Sequence, residues 1–182
     1  MPTRGNPMRI ACLLDNGFED DEFRKPFDAF AAAGHEVVVI GFRSRSELKG
    51  LHGKQTVRTD RAIDDVNSSD FDALFLPGGS SPDHLRADPR MVAFTEAFFT
   101  RDRPVLAVCH GPQLLITAGV ARGRTMTAWK TVQVDLKYAG ANVVDREVVV
   151  DGNLVTSRQP SDLDAFTKES LGLLDRAGVV AH

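Results

Sequence analysis

Cysteine is scarce in this 182-residue chain, which has only two. Two thiols in a chain of this length do not make a disulfide framework. No apolar run approaches the roughly 18–20 residues of a membrane span, which argues against a membrane partner. A charge surplus is missing too: 22 Lys and Arg stand against 25 Asp and Glu, for a net charge of −3. That balance favours neither nucleic acid nor an anionic membrane surface as a partner. Histidines occur at 35, 52, 84, 110 and 182, without ligand spacing to cysteines or paired acids, so no metal and no organic cofactor is expected. The first residues contain no signal-peptide h-region, so a cytoplasmic protein is expected. Residues 1–7 read as a loose extension and residues 8–182 as one domain, without repeats, low-complexity tracts or linkers.

What the chain does have is alternation. Continuously apolar strands are expected at Met8–Leu14, Glu36–Gly41, Phe71–Leu76 and Pro104–Val108. Helical spacing runs over Glu19–Ala33, Pro89–Thr100, His110–Ala118, Val132–Ala139 and Ser161–Ala177. Lys49–Arg58 reads as a hairpin or short strands, and a second hairpin turns at Asp151-Gly152-Asn153. Buried strands alternating with helices predict an α/β fold, a mostly parallel sheet covered on both faces. Sites in such sheets form at the carboxyl ends of strands. Three loops qualify, after Leu14, Leu76 and Val108.

The third loop is the most informative. The run Pro104-Val-Leu-Ala-Val-Cys109-His110-Gly-Pro-Gln113 reads as strand, sharp turn and helix, with Cys109 on the turn. A nucleophile so placed projects from the sheet edge toward free helix N–H groups, which favour a thiolate. Free cysteines are more often buried core residues, and Cys12, inside the apolar run Met8–Leu14, reads as one. His110 beside the nucleophile is a candidate for acid/base work, oriented by a third group.

In the first loop, Asp20, Asp21 and Glu22 read as acids drawn to a helix N-terminus. Glu19 sits closest to the strand end and is the candidate proton carrier beside the sulfur. In the second loop, Pro77-Gly78-Gly79 lets backbone approach closely. The N–H groups of Gly79 and His110 would then form an oxyanion hole. Asp83 alone reads as a solvated loop acid.

Taken together, the chain resembles the DJ-1/PfpI superfamily, in its short PfpI-type branch. The resemblance is carried by Gly17-Phe-Glu-Asp-Asp-Glu22, Phe71–Gly79, Ser81-Pro-Asp83, Ala107–Gln113, Glu147–Gly152 and Thr156–Pro160. It implies a flavodoxin-like three-layer sandwich with Cys109 on the elbow and Glu19 beside the sulfur. It also implies a homodimer or hexamer, in which Asp83, often Glu in the family, reaches from a neighbouring subunit to orient His110. Where members commonly carry Tyr or a small apolar residue, this chain has Trp129, which either narrows the pocket or packs on a subunit interface.

Members go by the names of intracellular peptidase, glutathione-independent glyoxalase, protein deglycase and general stress protein. The expected activity is cysteine-dependent attack on a small dicarbonyl such as methylglyoxal, or on a glycated protein, without a cofactor. A Cys109–His110–Asp83 peptidase is the alternative enzyme, handicapped because adjacent side chains on a turn need not face each other. A redox-responsive stress factor or holdase with an oxidisable Cys109 is the reading without turnover. A glutaminase-like subunit is disfavoured, because Thr156–Pro160 stands where a distal His-x-Glu would be needed.

Overall fold

The computed structural model describes residues 5–180. Eleven strands form in chain order: β1 (Arg9–Leu13), β2 (Glu36–Gly41), β3 (Glu47–Lys49), β4 (Thr56–Arg58), β5 (Arg61–Ala62), β6 (Ala73–Leu76), β7 (Val105–Val108), β8 (Thr125–Met126), β9 (Asn142–Val143), β10 (Val148–Asp151) and β11 (Leu154–Ser157). The helices are α1 (Asp20–Ala32), α2 (Ser81–Arg86), α3 (Pro89–Thr100), α4 (Gln113–Thr117), α5 (Lys130–Tyr138) and α6 (Leu163–Val180).

Seven strands make one sheet in the order β10-β11-β7-β6-β1-β2-β5. Its pairs are parallel except for the β10–β11 hairpin. With β1, β2, β6, β7 and β11 counted as strands one to five, the order is 2-1-3-4-5, that of a flavodoxin-like fold. The hairpin arises where expected, at Gly152 with φ +56°. The β3–β4 pair forms a small separate sheet, as does β8–β9.

A hydrophobic core fills each face of the sheet. On one side, Phe23 and Phe30 of α1 and Phe166 and Leu174 of α6 meet Ile10, Cys12 and Phe75. On the other, Phe94 and Phe98 of α3, Leu114 of α4 and Leu136 of α5 meet Leu13, Leu74 and Val105. Continuous apolar strands thus mean burial on both faces, and the three-layer sandwich follows. Cys12 is fully buried within the first core.

Of the expected N-terminal extension, residues 1–4 lie outside the described residues. Gly5 and Asn6 are not loose: a Cβ at Gly5 would lie 2.8 Å from the Asp175 carbonyl oxygen, and one at Gly178 would lie 3.1 Å from Asn6 N. Asp83 is not a loop residue either, since it sits in the first turn of α2. The sequence Ser80-Ser-Pro-Asp83 reads as a turn, but proline is also favourable in the first turn of a helix.

Candidate active site

The loops after β1 and β6 are zipped together by their backbones. Glu19 N–H donates to the Gly78 carbonyl (3.1 Å), Ser80 N–H donates to the Gly17 carbonyl (2.9 Å), and Phe18 forms an isolated antiparallel bridge with Gly79. Gly79 has φ +80°, and a Cβ there would run into the Gly17 carbonyl oxygen. Only glycine combines that conformation with that approach.

Cys109 ends β7 in the left-handed region, with φ +61°. This backbone costs a side-chain-bearing residue roughly 1–2 kcal/mol, and the surroundings hold it from both sides. Cys109 N–H donates to the Ser157 carbonyl (3.0 Å), and the Cys109 carbonyl accepts from Trp129 N–H (3.0 Å). Strain of this kind is common at functional sites.

The expected helix over His110–Ala118 is shorter. Residues 110–112 form turns, with Gly111 N–H donating to the Val108 carbonyl (2.9 Å), and α4 starts only at Gln113. The turns run on into α4, with Gln113 N–H donating to the His110 carbonyl (3.0 Å) and Leu114 N–H to that of Gly111 (3.2 Å). The N–H groups that face the sulfur are those of Gly79 and His110, and both favour the thiolate. Nor is Cys109 exposed, at 6% of its surface. Burial raises its pKa, the charge and hydrogen bonding of a nearby glutamate raise it further, and the two N–H groups pull it down.

That glutamate is Glu22, not Glu19. Glu22 is fully buried, its Oε1 accepts from Gly78 N–H (3.1 Å), and its carboxyl group interacts with the Cys109 sulfur. Its Oε2 has no nitrogen or oxygen partner among the described residues. Burial, followed by the negative charge of Glu19, pushes the Glu22 pKa up to about 8, against the opposing effects of Cys109 and Gly78 N–H. At neutral pH the carboxyl group holds its proton next to the sulfur. Glu19 instead caps α1, its Oε2 accepting from Glu22 N–H (2.7 Å). The physical reason is helical phase: Glu22, Pro26 and Phe30 recur every four residues and are all buried, so Glu22 rides the inward face. A carboxyl group on that apolar stripe was the signal available in the sequence.

His110 does face its neighbour, with Nδ1 3.2 Å from Cys109 Sγ. The turn geometry at residues 109–111 overcomes the handicap expected for adjacent side chains. Burial lowers the His110 pKa while the charge of Asp83 raises it, with burial the larger effect. No hydrogen bond joins Asp83 to His110 among the described residues. The ring of Trp129 lies roughly parallel to that of His110, 25° between planes and 6.3 Å between centroids. Trp129 thus stands as a half-buried wall beside the histidine.

The expectation of no metal constellation needs correcting. Glu19, Asp20 and His52 bring ligand atoms within 4.8 Å of one another, a cluster hidden by the 32 residues separating Asp20 and His52. Its carboxylates are already engaged. Asp20 accepts from the N–H groups of His52, Lys54 and Gln55, each at 2.8 Å, and Glu19 holds the helix cap. A cation would compete with these bonds. Burial works against ionised Asp20, but the three N–H groups outweigh it and lower its pKa.

Asp20 is thus the clasp of the β3–β4 loop. Asp20→Ala leaves three donors without a partner and is expected to cost about 3 kcal/mol, read as a Tm lowered by about 6–12 °C in calorimetry. A depressed folded-state pKa contributes stability that is present above the unfolded value near 4 and lost as pH falls below it. The Tm gap between wild type and variant should therefore narrow in acid.

Fold and site together define a flavodoxin-like α/β protein with a buried cysteine in the left-handed region at the carboxyl end of β7, one strand from the switch point between β1 and β6. The DJ-1/PfpI family model matches residues 8–173, and the chain belongs to that family. It is 54% identical over 169 residues to General stress protein 18 of Bacillus subtilis, covering 92% of this chain and 98% of that one. It is 53% identical over 167 residues to Protein/nucleic acid deglycase 2 of Escherichia coli, covering 91% and 97% of the two chains. Among solved structures, a two-domain protein of Anabaena variabilis with DJ-1/ThiJ/PfpI-like and ferritin-like domains superposes with a TM-score of 0.89 at 40% identity. That match covers 92% of this chain and 48% of the other. The exclusion of nucleic acid drawn from net charge is not supported, since the E. coli relative's name includes nucleic acid. No helix among the described residues is long and apolar enough to cross a membrane.

Proposed function

We propose that the protein is a glutathione-independent glyoxalase and deglycase, acting on small dicarbonyls and their early adducts through Cys109. The observation that carries this reading is a fully buried carboxyl group, Glu22, held by Gly78 N–H against a buried cysteine sulfur. Cys109 gives its proton to His110 Nδ1, 3.2 Å from the sulfur, and attacks the aldehyde carbon of methylglyoxal to give a hemithioacetal. The N–H groups of Gly79 and His110 hold the alkoxide. Glu22, taking over the role expected of Glu19, gives its proton to that alkoxide and then, as the carboxylate, moves a proton from C1 to C2 through an enediol, assisted by His110. The resulting thioester takes up water, giving lactate and the free thiol. A deglycase uses the same first step on a protein or nucleic-acid adduct.

A peptidase would draw on the 3.2 Å contact between Cys109 and His110. It also needs a carboxylate bonded to His110, and within one chain Asp83 is not. Peptidase activity would then require an oligomer in which a neighbour supplies that acid. Two free thiols suit the reducing interior of a cell.

The test is lactate formation from methylglyoxal, without glutathione and in amine-free buffer. Wild type is expected to form lactate and Cys109→Ala none. Lactate from neither would sink the reading. Glu19→Gln separates the two acids. It weakens a cap worth about 1 kcal/mol and removes the charge that raises Glu22, so the plateau rate should persist with the pH profile moved toward acid. A total loss of turnover would return the proton-carrying role to Glu19.

A further inference from the structure

The net charge of −3 conceals a strongly uneven distribution. Between residues 43 and 61 stand six basic side chains, Arg43, Arg45, Lys49, Lys54, Arg58 and Arg61, against Glu47 and Asp60. That surplus of four leaves a deficit of seven over the rest of the chain. Arg43, Arg45, Arg58 and Arg61 are all exposed, and among the described residues none of them forms an ion pair. Arg24, Arg90, Arg124 and Arg158 are each paired with an aspartate. Arg45 and Arg58 line a cleft of about 280 Å³ with Thr59 and Asp60. The Asp60 carboxylate, in the same cleft lining, has one oxygen engaged in accepting from Val39 N–H (2.8 Å). Glu47 lies across from Arg58 in the β3–β4 register without bonding to it.

The position of this face matters as much as its charge. Arg61 pairs with Ile40 at the carboxyl end of β2. Since β2, β1, β6 and β7 are parallel, that end lies on the same rim of the sheet as Cys109. Four strand spacings separate β7 from β5, about 19 Å at ~4.8 Å each. A duplex spaces the phosphates of each strand by roughly 3.4 Å along its axis and an unstacked single strand spaces them more widely, so fewer than about five or six phosphates span that distance. The β3–β4 hairpin bridges the gap, with Gly17 N–H donating to the Lys49 carbonyl (2.9 Å).

We propose that the face bearing Arg43, Arg45, Arg58 and Arg61 docks the phosphodiester backbone of single-stranded nucleic acid and so presents a glycated base to the Cys109 rim. The strand is single because chemistry on a base requires it to be unstacked. The chemistry at the base rests on the deglycase reading above; the docking does not. Guanidinium groups without an ion-pair partner suit phosphate bidentately; Arg58 Nε makes one long bond, 3.4 Å, to the Arg45 carbonyl. An anionic membrane would engage the same charges, but on this hairpin Leu51 is the exposed large apolar side chain, at 54%, which is little to insert.

The test is fluorescence anisotropy of a labelled 20-nucleotide DNA strand with the full chain at 50 and 200 mM salt. Four phosphate contacts predict about a fifty-fold loss of affinity between the two salts. R45Q/R58Q should reduce the slope of log K against log salt by about 1.4, with lactate formation from free methylglyoxal unchanged. C109A should bind as wild type does. Equal binding by wild type and R43Q/R45Q/R58Q/R61Q, or no binding at 50 mM salt, would overturn the proposal. Tighter binding to phosphatidylserine vesicles than to DNA would replace it with a membrane surface. If the wild type binds DNA as predicted but makes no lactate, the deglycase reading fails and the docking face stands.

Discussion

Glu22→Gln is expected to lower turnover by about 10²–10⁴-fold, the range typical of a lost general acid–base group, and at the same time to stabilise the fold. Glutamine keeps the acceptor that Gly78 N–H uses but cannot ionise or shuttle a proton. The stability gain follows from the buried carboxyl group. Its folded pKa is about 8, whereas the unfolded chain would have a value near 4.3. Below the unfolded value the group is neutral in both states and has no effect. As pH rises toward 8 the unfolded state ionises and the folded state does not, so stability falls by a few kcal/mol and then levels off. The Tm advantage of Glu22→Gln should therefore be several degrees at pH 8 and shrink as pH drops toward 4. Thermal melts over that range check it. A variant less stable than wild type at pH 8 would mean that Glu22 is ionised in the fold.

Gly78→Ala is the second large effect. A Cβ at position 78 would collide with Glu22 Oε1 and lie 2.8 Å from Cys109 Cβ and 3.0 Å from His110 N. One methyl group thus meets together the three groups to which the proposed reaction gives proton transfer, nucleophilic attack and oxyanion binding. Overpacking of this kind costs about 1–3 kcal/mol, and a misplacement of about 1 Å costs about a hundredfold in rate. The expected variant folds with a lowered Tm and has lost at least about two orders of magnitude in lactate formation. Wild-type turnover in a folded Gly78→Ala protein would show that the acid need not touch the sulfur.

The elements that carry strong local signals were readable. Strand β2 and helix α3 fall on the residues expected, because an uninterrupted apolar run and a Pro89 start leave little choice. Cys109 and His110 were legible through the strand and turn that carry them and Gly79 through its Pro-Gly-Gly loop, and the structure brings the N–H groups of Gly79 and His110 to the sulfur. What escaped depends on contacts far apart in sequence. Glu19 is nearer the strand end than Glu22, but the backbone zipper between residues 17–19 and 78–80 assigns it to the helix cap. Helix phase, not proximity along the chain, then delivers Glu22 to the sulfur. Helix α2 was missed because a Ser-Ser-Pro-Asp string serves equally as a turn or a helix start. The arginine face was hidden because a net charge sums over the whole surface, whereas a phosphate meets only one side.

The burial of Cys109 has a consequence for how the protein survives oxidants. Peroxide is small enough to reach a thiol only 6% exposed, and it carries the sulfur to sulfenic acid. The chain's other cysteine, Cys12, is level with Leu106 two strands away in the core, so no resolving thiol of the same chain stands beside Cys109. Without such a partner, a second peroxide carries the sulfenic acid to the irreversible sulfinic acid. Each molecule's working life is then set by its cumulative exposure to peroxide.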